Sequence, residues 1–439
     1  MKLSSLIGHL AELLDLALRS PHAADRVAAE YFAHRRYLGS RDRRWIADRL
    51  YALLRHHLSL ERVVAQALAG AASPPAALPL LLVAALEARR GETPLPALAD
   101  EFAAPWRLAD LRVEPAAFLA RAADPALPDL TGLPPEQALA VAASLPVPLA
   151  AEFIARFGLD EAHALASALN TGAPLALRVN TLRCTAEECR AALAAEGVAT
   201  VPGRWAPHAL VAAKRFAIPA SAAFRRGMFE VQDEGSQLVV MLLDPRPGET
   251  VLDACAGGGG KTLAAAAAMR NEGVIMAEDV NDGRLKAVRE RCGRAGVTIA
   301  AVQKSGAGSA ATADRVLVDA PCSGVGTFRR NPGAKLRFLP EESARYAALQ
   351  RRILDAAAGR VRPGGRLVYA TCTLLRAENE DVAGDFLASH PGFAAEDAAA
   401  LLASHGVAVP PSASAPHLLL LPHRTGTDGF FAAVFARRA

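Results

Sequence analysis

Apolar residues recur at helical spacing along the first part of the chain, from residue 3 to about residue 68, and no alternation typical of strands appears there. One apolar stripe is formed by Leu6, Leu10, Leu13 and Ala17. From residue 91 to residue 135 prolines recur every few residues, which favours loops and short helices. The pattern therefore predicts an all-helical domain over residues 1–134.

Helical and strand-like segments mix in the next part of the chain. The spacing predicts helices over 148–157, 160–169 and 185–196, and the alternating segment ALRVNTLR predicts a strand that ends in a turn. Shorter segments up to Phe229 are further strand candidates. Together they predict a small α+β module over residues 135–235, about the size of a common domain.

Regular alternation of strands and helices begins at Glu249 and predicts the third domain, residues 236–439. Strands separated by helices of roughly 10 to 15 residues indicate a doubly wound parallel sheet, so the fold class is α/β. The C-terminal GFFAAVFAR is one more strand, and it is expected to run antiparallel at the far side of the sheet. The predicted strands of this sheet are TVLDAC, GVIMAEDV, GVTIAAVQ, DRVLVDAPC and RLVYATCTL.

Composition excludes several classes of protein. Of the 439 residues, 52% are apolar and 21% charged, which is too apolar for a disordered chain. Six scattered cysteines are too few for a disulfide framework, so we expect reduced thiols and a cytoplasmic protein. Acidic residues interrupt the apolar N-terminus, and no apolar run of about 18 residues occurs, so neither a signal peptide nor a membrane span is expected.

Arginines and aromatic residues interleave between Arg35 and Arg62, where Ser40 is predicted to cap a helix. The net charge of +4 permits an acidic partner without requiring one. Two interpretations of the segment stay open: a solvated basic helix face with its aromatics in the core, or a face that contacts RNA phosphates.

A glycine-rich loop follows the first strand of the sheet, in the segment from Asp253 to Thr262. Such a loop lets a ligand approach the backbone closely, and a helix N-terminus favours an anionic group. The phosphate-loop spacing GxxxxGK[ST] would need glycine where Cys255 stands, which disfavours that site. The second strand ends at Asp279, whose carboxylate suits the ribose of an adenosine, with Glu278 second; a helix-capping role for Asp279 stays open.

Two cysteines and an aspartate are expected to converge beside that loop, because the carboxyl ends of parallel strands meet at one edge. They are Asp319 and Cys322 after the fourth strand, and Cys372 after the fifth. Thiolate addition to carbon 6 of cytosine would activate carbon 5 toward a methyl sulfonium. Zinc is not expected, since no matching ligand set is present. Cys184, Cys189 and Cys292 are predicted to be small buried apolar residues.

The ordered motifs resemble the RsmB-like (Nop/Sun) family of RNA 5-methylcytosine methyltransferases, over roughly residues 140–439. The motifs are RVNT, FEVQDEGSQ, DACAGGGGKT, AEDVNDGRL, DRVLVDAPCSGVGTFRRNP, LVYATCTLLRAENED and DGFFAAVFAR. The helical front end resembles the NusB-like RNA-binding domain of the bacterial branch, and SRDRRWIADRLYALLR carries that similarity. The resemblance implies a class I methyltransferase fold, S-adenosylmethionine as cofactor and 16S rRNA as partner. We also expect a monomer.

The same resemblance assigns roles to individual residues. It makes Cys372 the nucleophile and Cys322 the group that assists product release, with Asp319 and Lys261 beside the base and cofactor. The implied cofactor-binding residues are Cys255, Ala256, Gly257, Gly258, Gly259, Gly260, Lys261, Asp279, Arg284, Ser305 and Asp319.

The chain departs from the family pattern at three places. Gly257 and Gly258 stand where the family often has Ala-Pro, Ser305 follows the third strand where an adenine-contacting Asp is common, and Gly333 replaces an Asp after RRNP. Competing hypotheses are a Rossmann dehydrogenase, which leaves both cysteine motifs unexplained, a tRNA methyltransferase, and an RNA-binding assembly factor without catalysis. An exocyclic amino methyltransferase is disfavoured because no NPPY-like motif follows the fourth strand.

Overall fold

The computed structural model describes residues 1–68, 70, 77–103, 113–305, 311–410 and 414–439. The chain divides into two compact units. The first comprises Met1–Thr171 together with Phe328–Phe338, and the second comprises Gly172–Thr327 and Leu339–Ala439. The prediction of three domains, 1–134, 135–235 and 236–439, stays a prediction.

The first unit is helical, as the hydrophobic spacing predicts. The predicted stripe of Leu6, Leu10, Leu13 and Ala17 is buried in its core. Its helices are α1 (Leu3–Arg19), α2 (Ala24–Ala33), α3 (Ser40–Arg55), α4 (His57–Leu68), α5 (Leu78–Arg90), α6 (Leu95–Ala103), α7 (Pro115–Ala122), α8 (Pro135–Ala143), α9 (Val147–Phe157) and α10 (Leu159–Leu169), joined later in the chain by α16 (Pro332–Lys335).

The arginine-rich segment contributes to this core as well as to its surface. The guanidinium of Arg49 is buried, donates from Nε to Glu87 at 2.8 Å and stacks over the Trp45 ring. Arg36, Arg41 and Arg44 are exposed. The predicted capping role of Ser40 is wrong, because Gly39 occupies the N-cap position and its backbone N–H donates to the Asp42 carboxylate.

Residues 328–338 enter the helical unit from the middle of the methyltransferase-like sequence, and Lys335 fixes them there. Its side chain is buried, and its Nζ donates to the Arg55 carbonyl at 2.6 Å, the Ala143 carbonyl at 3.0 Å and Asn170 Oδ1. These acceptors lie at the C-terminal ends of α3, α8 and α10, where helix dipoles favour a cation. Burial and the charge of Arg55 lower the pKa of Lys335 to about 7.

The second unit begins with a small antiparallel sheet of order β2-β3-β1-β4. Thr185 and Glu188 form a capping box at the start of α11, which explains where that helix begins. Val179 and Phe229 pack with Cys189 in one apolar core. Its elements are β1 (Leu175–Val179), α11 (Ala186–Ala195), β2 (Thr200–Pro202), β3 (Ala209–Ala212), α12 (Ala222–Arg225) and β4 (Phe229–Val231).

A larger mixed sheet of order β10-β12-β9-β8-β5-β6-β7 forms the rest of this unit. Strands β5 to β9 pair in parallel, whereas β12 pairs antiparallel to both β9 and β10. The elements are α13 (Glu234–Leu243), β5 (Thr250–Asp253), α14 (Gly260–Ala268), β6 (Val274–Asp279), α15 (Asp282–Ala295), β7 (Ala300–Lys304), β8 (Ala313–Asp319), α17 (Pro340–Ala358), β9 (Val361–Thr371), α18 (Glu380–Ser389), β10 (Phe393–Glu396), α19 (Ala398–Ser404), β11 (Leu418–Leu420), α20 (Pro422–Thr425) and β12 (Phe430–Arg437).

Helices cover both faces of this sheet, so the doubly wound class I methyltransferase fold is confirmed. Successive strand residues point to opposite faces. Val434 packs in the core that includes α13, α14 and α15, whereas the ring of its neighbour Phe435 lies 4.8 Å from that of Phe386 on α18. The C-terminal strand is antiparallel as predicted, and it lies between β9 and β10.

Candidate active site

The loop between β5 and α14 is held against the end of β6 by backbone hydrogen bonds. Ala256 N donates to the Glu278 carbonyl at 2.8 Å, and Gly257 N donates to Asp279 Oδ2 at 2.9 Å. Gly259 adopts φ 82°, and a Cβ there would meet the Val288 methyl groups at 3.1 and 3.2 Å. Glycine is therefore needed at that position for both conformation and space.

Asp279 lies beside the glycine loop, whereas Glu278 points elsewhere. The buried Asp279 carboxylate also accepts from Asn281 N at 2.8 Å, and Arg284 Nη1 lies 3.6 Å from its Oδ2. Glu278 Oε1 instead accepts from Gln303 Nε2 at 2.9 Å, with Arg360 nearby. Of the two carboxylates at this strand end, that of Asp279 is thus the one in contact with the loop.

Lys261 and Asp319 form an ion pair in which Nζ lies 2.6 Å from Oδ2. The lysine side chain is 9% exposed, whereas the aspartate is 32% exposed, so only the carboxylate is open to an incoming group. Nζ also lies 5.4 Å from the centre of the Phe430 ring. Behind the pair, burial raises the pKa of Asp253 to about 6, while its Oδ2 accepts from Thr262 at 2.7 Å.

Cys322 and Cys372 meet at the carboxyl ends of β8 and β9, with their Sγ atoms 3.4 Å apart. Gly326 N donates to the Cys372 carbonyl at 3.0 Å, and the hydroxyls of Ser323 and Thr373 lie 2.8 Å apart. The contact with Cys372 and burial raise the pKa of Cys322 well above its usual value. Cys322 is therefore a neutral thiol at physiological pH.

A buried carboxylate that the sequence analysis did not single out supports the Cys322 loop. Glu378 Oε2 accepts from Ser323 N at 2.9 Å and from Gln350 Nε2 at 3.1 Å, and its Oε1 accepts from Ser343. Gln350 Nε2 also donates to the Pro321 carbonyl at 2.8 Å. Burial raises the pKa of Glu378, and the bond from Ser323 opposes that shift. Its sequence signal was only the ENED segment after the TCT motif.

Two more of the predicted cofactor residues, Cys255 and Ser305, lie at the ends of strands in the large sheet. Cys255 follows β5, and burial raises the pKa of its thiol to about 12. Ser305 N donates to the Asp279 carbonyl at 3.1 Å, which sets Ser305 next to the predicted ribose site, and residues 306–310 lie outside the described part. Gly333 lies on α16 in the helical unit.

The other cysteines are not part of this cluster. Cys189 and Cys292 are buried in apolar cores, as predicted, and Cys184 is half-buried with its Sγ near the Met228 carbonyl. Among the residues that the structure describes, no group of three or more His, Cys, Asp or Glu side chains could hold a metal ion. Within the same residues no single helix could span a membrane, and α8 and α9 qualify only as a pair bent by 114°.

Comparison with known sequences identifies the family. The model of the 16S rRNA methyltransferase RsmB/F family matches residues 240–436, and a ferredoxin-like domain model of RsmF/B-like methyltransferases matches residues 145–219. A probable ribosomal RNA small subunit methyltransferase B of Bacillus subtilis (strain 168) is 37% identical over 303 residues, which cover 68% of this chain and 67% of the relative. The chain belongs to the RsmB/F family.

Solved structures agree with this membership. The crystal structure of PH0851 is similar over 99% of both chains, with a TM-score of 0.77 and 26% identity. A methyltransferase homologue from Pyrococcus horikoshii is 27% identical with a TM-score of 0.58, covering 69% of this chain and 99% of its own. The RsmB/F family model spans the glycine loop, Asp279, Asp319 and both clustered cysteines. Residues 1–144 precede both family models.

Proposed function

We propose that this chain transfers a methyl group from S-adenosylmethionine to carbon 5 of a cytosine in 16S rRNA. The observation that carries the proposal is the 3.4 Å contact between Cys322 and Cys372 beside the Lys261–Asp319 pair. Membership of a family of rRNA methyltransferases supports an RNA substrate. A pair of thiols at the carboxyl ends of β8 and β9 supports a covalent route, because thiolates are strong nucleophiles.

The residues around the glycine loop suit an adenosine-containing cofactor. Backbone without side chains at Gly257 to Gly260 allows close approach of a ligand, and Asp279 offers a carboxylate to its ribose. Cys255, Ala256, Arg284 and Ser305 complete the proposed pocket, with Lys261 and Asp319 toward the base. The bound cofactor supplies an electrophilic methyl group on a sulfonium.

In the proposed reaction the Cys372 thiolate attacks carbon 6 of the cytosine, forming an Sγ–C6 bond. The electron pair released toward carbon 5 makes that carbon the nucleophile for the methyl group. Asp319, the exposed member of its ion pair, is proposed to hydrogen-bond the base edge and stabilise the adduct. After methylation a water molecule takes the carbon 5 proton, and the C–H electron pair forms the C5=C6 double bond again. The Sγ–C6 bond then breaks and its electron pair returns to Cys372 as the thiolate. Cys322 is proposed to assist that release from 3.4 Å away.

The parts outside the methyltransferase sheet are proposed to hold the RNA. The NusB-like helical domain presents the exposed Arg36, Arg41 and Arg44, and arginines of this kind contact phosphates. The ferredoxin-like module is proposed as a second RNA contact. We propose three parts, residues 1–134, 135–235 and 236–439, acting in a monomer.

Bisulfite sequencing of rRNA and tRNA, from cells with and without the gene, tests the proposal. We expect one 16S rRNA cytosine to lose its mark, and the purified protein to restore it on unmodified 16S rRNA with S-adenosylmethionine. Loss of a mark in tRNA alone would move the substrate to tRNA. No change in either pool, with RNA binding retained by the purified protein, would favour the non-catalytic assembly factor.

A further inference from the structure

The carbonyl of Gly258 is bound by an arginine from a different element. Arg291 Nη1 on α15 donates to Gly258 O in the middle of the glycine loop. A Cβ on Gly258 would lie 3.2 Å from the same nitrogen, so the guanidinium packs directly on the loop backbone. Glycine loses more conformational freedom than other residues when it is ordered. The bond from Arg291 therefore adds a restraint on the glycine run, beside the bonds from Ala256 and Gly257 to the end of β6.

Arg291 is itself fixed by a buried carboxylate. Its Nη2 and Nε lie 2.9 and 3.2 Å from Glu230 Oε2, and the Glu230 side chain is only 3% exposed. The planar guanidinium thus presents one edge to Glu230 and its remaining nitrogen to Gly258. Glu230 already holds the guanidinium in place before any ligand binds. The hydrogen bond from Arg291 to the Gly258 carbonyl therefore costs little additional side-chain entropy.

Glu230 is oriented in turn by a second arginine that does not reach the loop. Arg294 Nη2 donates to Glu230 Oε1, and the Arg294 guanidinium lies 4.0 Å from the centre of the Phe224 ring. Each carboxylate oxygen therefore has its own arginine. The two arginines share one helix and one carboxylate, but only Arg291 donates to the Gly258 carbonyl, whereas Arg294 packs over Phe224.

We infer that Arg291, anchored by Glu230, is a positioning residue that holds the glycine loop in its cofactor-binding conformation. The inference rests on the proposed function, in which this loop wraps the methionine part of S-adenosylmethionine. Arg291 acts through Gly258 and has no role at the reacting atoms. Its loss should weaken cofactor binding and leave the chemical step and the RNA interaction unchanged.

Calorimetry with S-adenosylhomocysteine tests this, using Arg291→Met with Arg294→Met as the matched control. Both variants lose one positive charge and the ion pair with Glu230, but only the first loses the loop contact. We expect Arg291→Met to raise Kd about tenfold, the effect of one charge-assisted hydrogen bond. Arg294→Met should stay within about twofold of the wild type. In turnover assays Arg291→Met should raise KM for S-adenosylmethionine while kcat and the KM for RNA stay constant.

Two further variants separate loop positioning from general stability. Glu230→Gln should weaken S-adenosylhomocysteine binding although Arg291 is intact, and it serves as the test if Arg291→Met does not fold. Adding Gly258→Ala to Arg291→Met should recover part of the affinity, because alanine restricts the free loop and the shortened side chain leaves room for Cβ.

Equal Kd values for Arg291→Met and Arg294→Met would overturn the inference, as would unchanged binding in Glu230→Gln. A wild-type protein that does not bind S-adenosylhomocysteine would instead contradict the proposed function. Tight wild-type binding with no difference among the variants leaves the proposed function intact and removes only the role of Arg291.

Discussion

The sulfur atoms of Cys322 and Cys372 lie 3.4 Å apart although 50 residues separate them in the chain. The contact exists because β8 and β9 are parallel neighbours, with Asp319 opposite Ala370 in the register. Each thiol follows the end of its own strand, so a substrate atom near one lies near the other. The division of labour proposed for the two thiols can be tested by changing them one at a time.

Cys372→Ala is expected to abolish methyl transfer and to leave the Kd for S-adenosylhomocysteine unchanged, since the proposed thiol acts on the base alone. Turnover on 16S rRNA and calorimetry measure the two properties. Cys292→Ala, which alters a buried cysteine outside the cluster, is the control. Retention of full turnover by Cys372→Ala would remove the nucleophile assignment.

Cys322→Ala is expected to accumulate a covalent RNA adduct through Cys372, because the proposed release step slows while attack on carbon 6 does not. A denaturing gel with labelled RNA and S-adenosylmethionine would show a slow-migrating band. The double variant Cys322→Ala, Cys372→Ala should show none. Absence of the band from the single variant would argue against the assigned roles.

Asp279→Ala is expected to raise the Kd for S-adenosylhomocysteine about tenfold or more, through lost ribose hydrogen bonds and the lost support of Gly257 N. Glu278→Ala is the matched control, since its neighbouring carboxylate contacts Gln303 and Arg360 instead. If only Glu278→Ala weakened binding in calorimetry, the ribose role would belong to Glu278.

Lys335 should make the stability of the protein rise with pH above neutrality. Its pKa is about 7 in the folded protein and near 10.4 in an unfolded chain, so between these values the unfolded state binds the extra proton. Stability then increases with pH across that window, by up to about 1.4 kcal/mol per pH unit, and is constant below it. Lys335→Met should lack this increase.

Urea unfolding of the wild type and Lys335→Met at several pH values between about 7 and 9 measures the difference, with the exposed Lys214→Met as control. Lys335→Met should also cost about 1–3 kcal/mol near pH 9, because buried carbonyl oxygens lose their donor. If the stability of wild type and Lys335→Met changed with pH in parallel, the lowered pKa of Lys335 in the folded protein would be contradicted.

Local patterns predicted the strands of the large sheet and the helices that cover it. The 2-residue period of a strand and the 3.6-residue period of a helix can both be recognised from neighbouring residues. They also placed the glycine loop and the ends of β6, β8 and β9, where Asp279, Asp319 and the cysteines stand. Element ends were less predictable: β7 begins at Ala300, later than the segment from Gly296 suggested.

What sequence patterns could not supply were contacts between distant residues. Glu378 carries no local sign that it would accept from Ser323, 55 positions earlier. The buried Arg49 looked like its exposed neighbours, because its partner Glu87 lies on another helix. The same applies to Arg291 and Glu230, which are 61 positions apart.

Residues 328–338 belong to the helical unit although they follow the PCSG motif in the sequence. Order along the chain therefore does not match the division into units. A shorter chain starting at Gly172 would keep every catalytic motif, yet it would leave Lys335 without Arg55, Ala143 and Asn170. Such a deletion would also expose the Lys335 side chain to water, because the helices that bury it lie before Gly172. The first unit is therefore assembled from two separate stretches of the polypeptide.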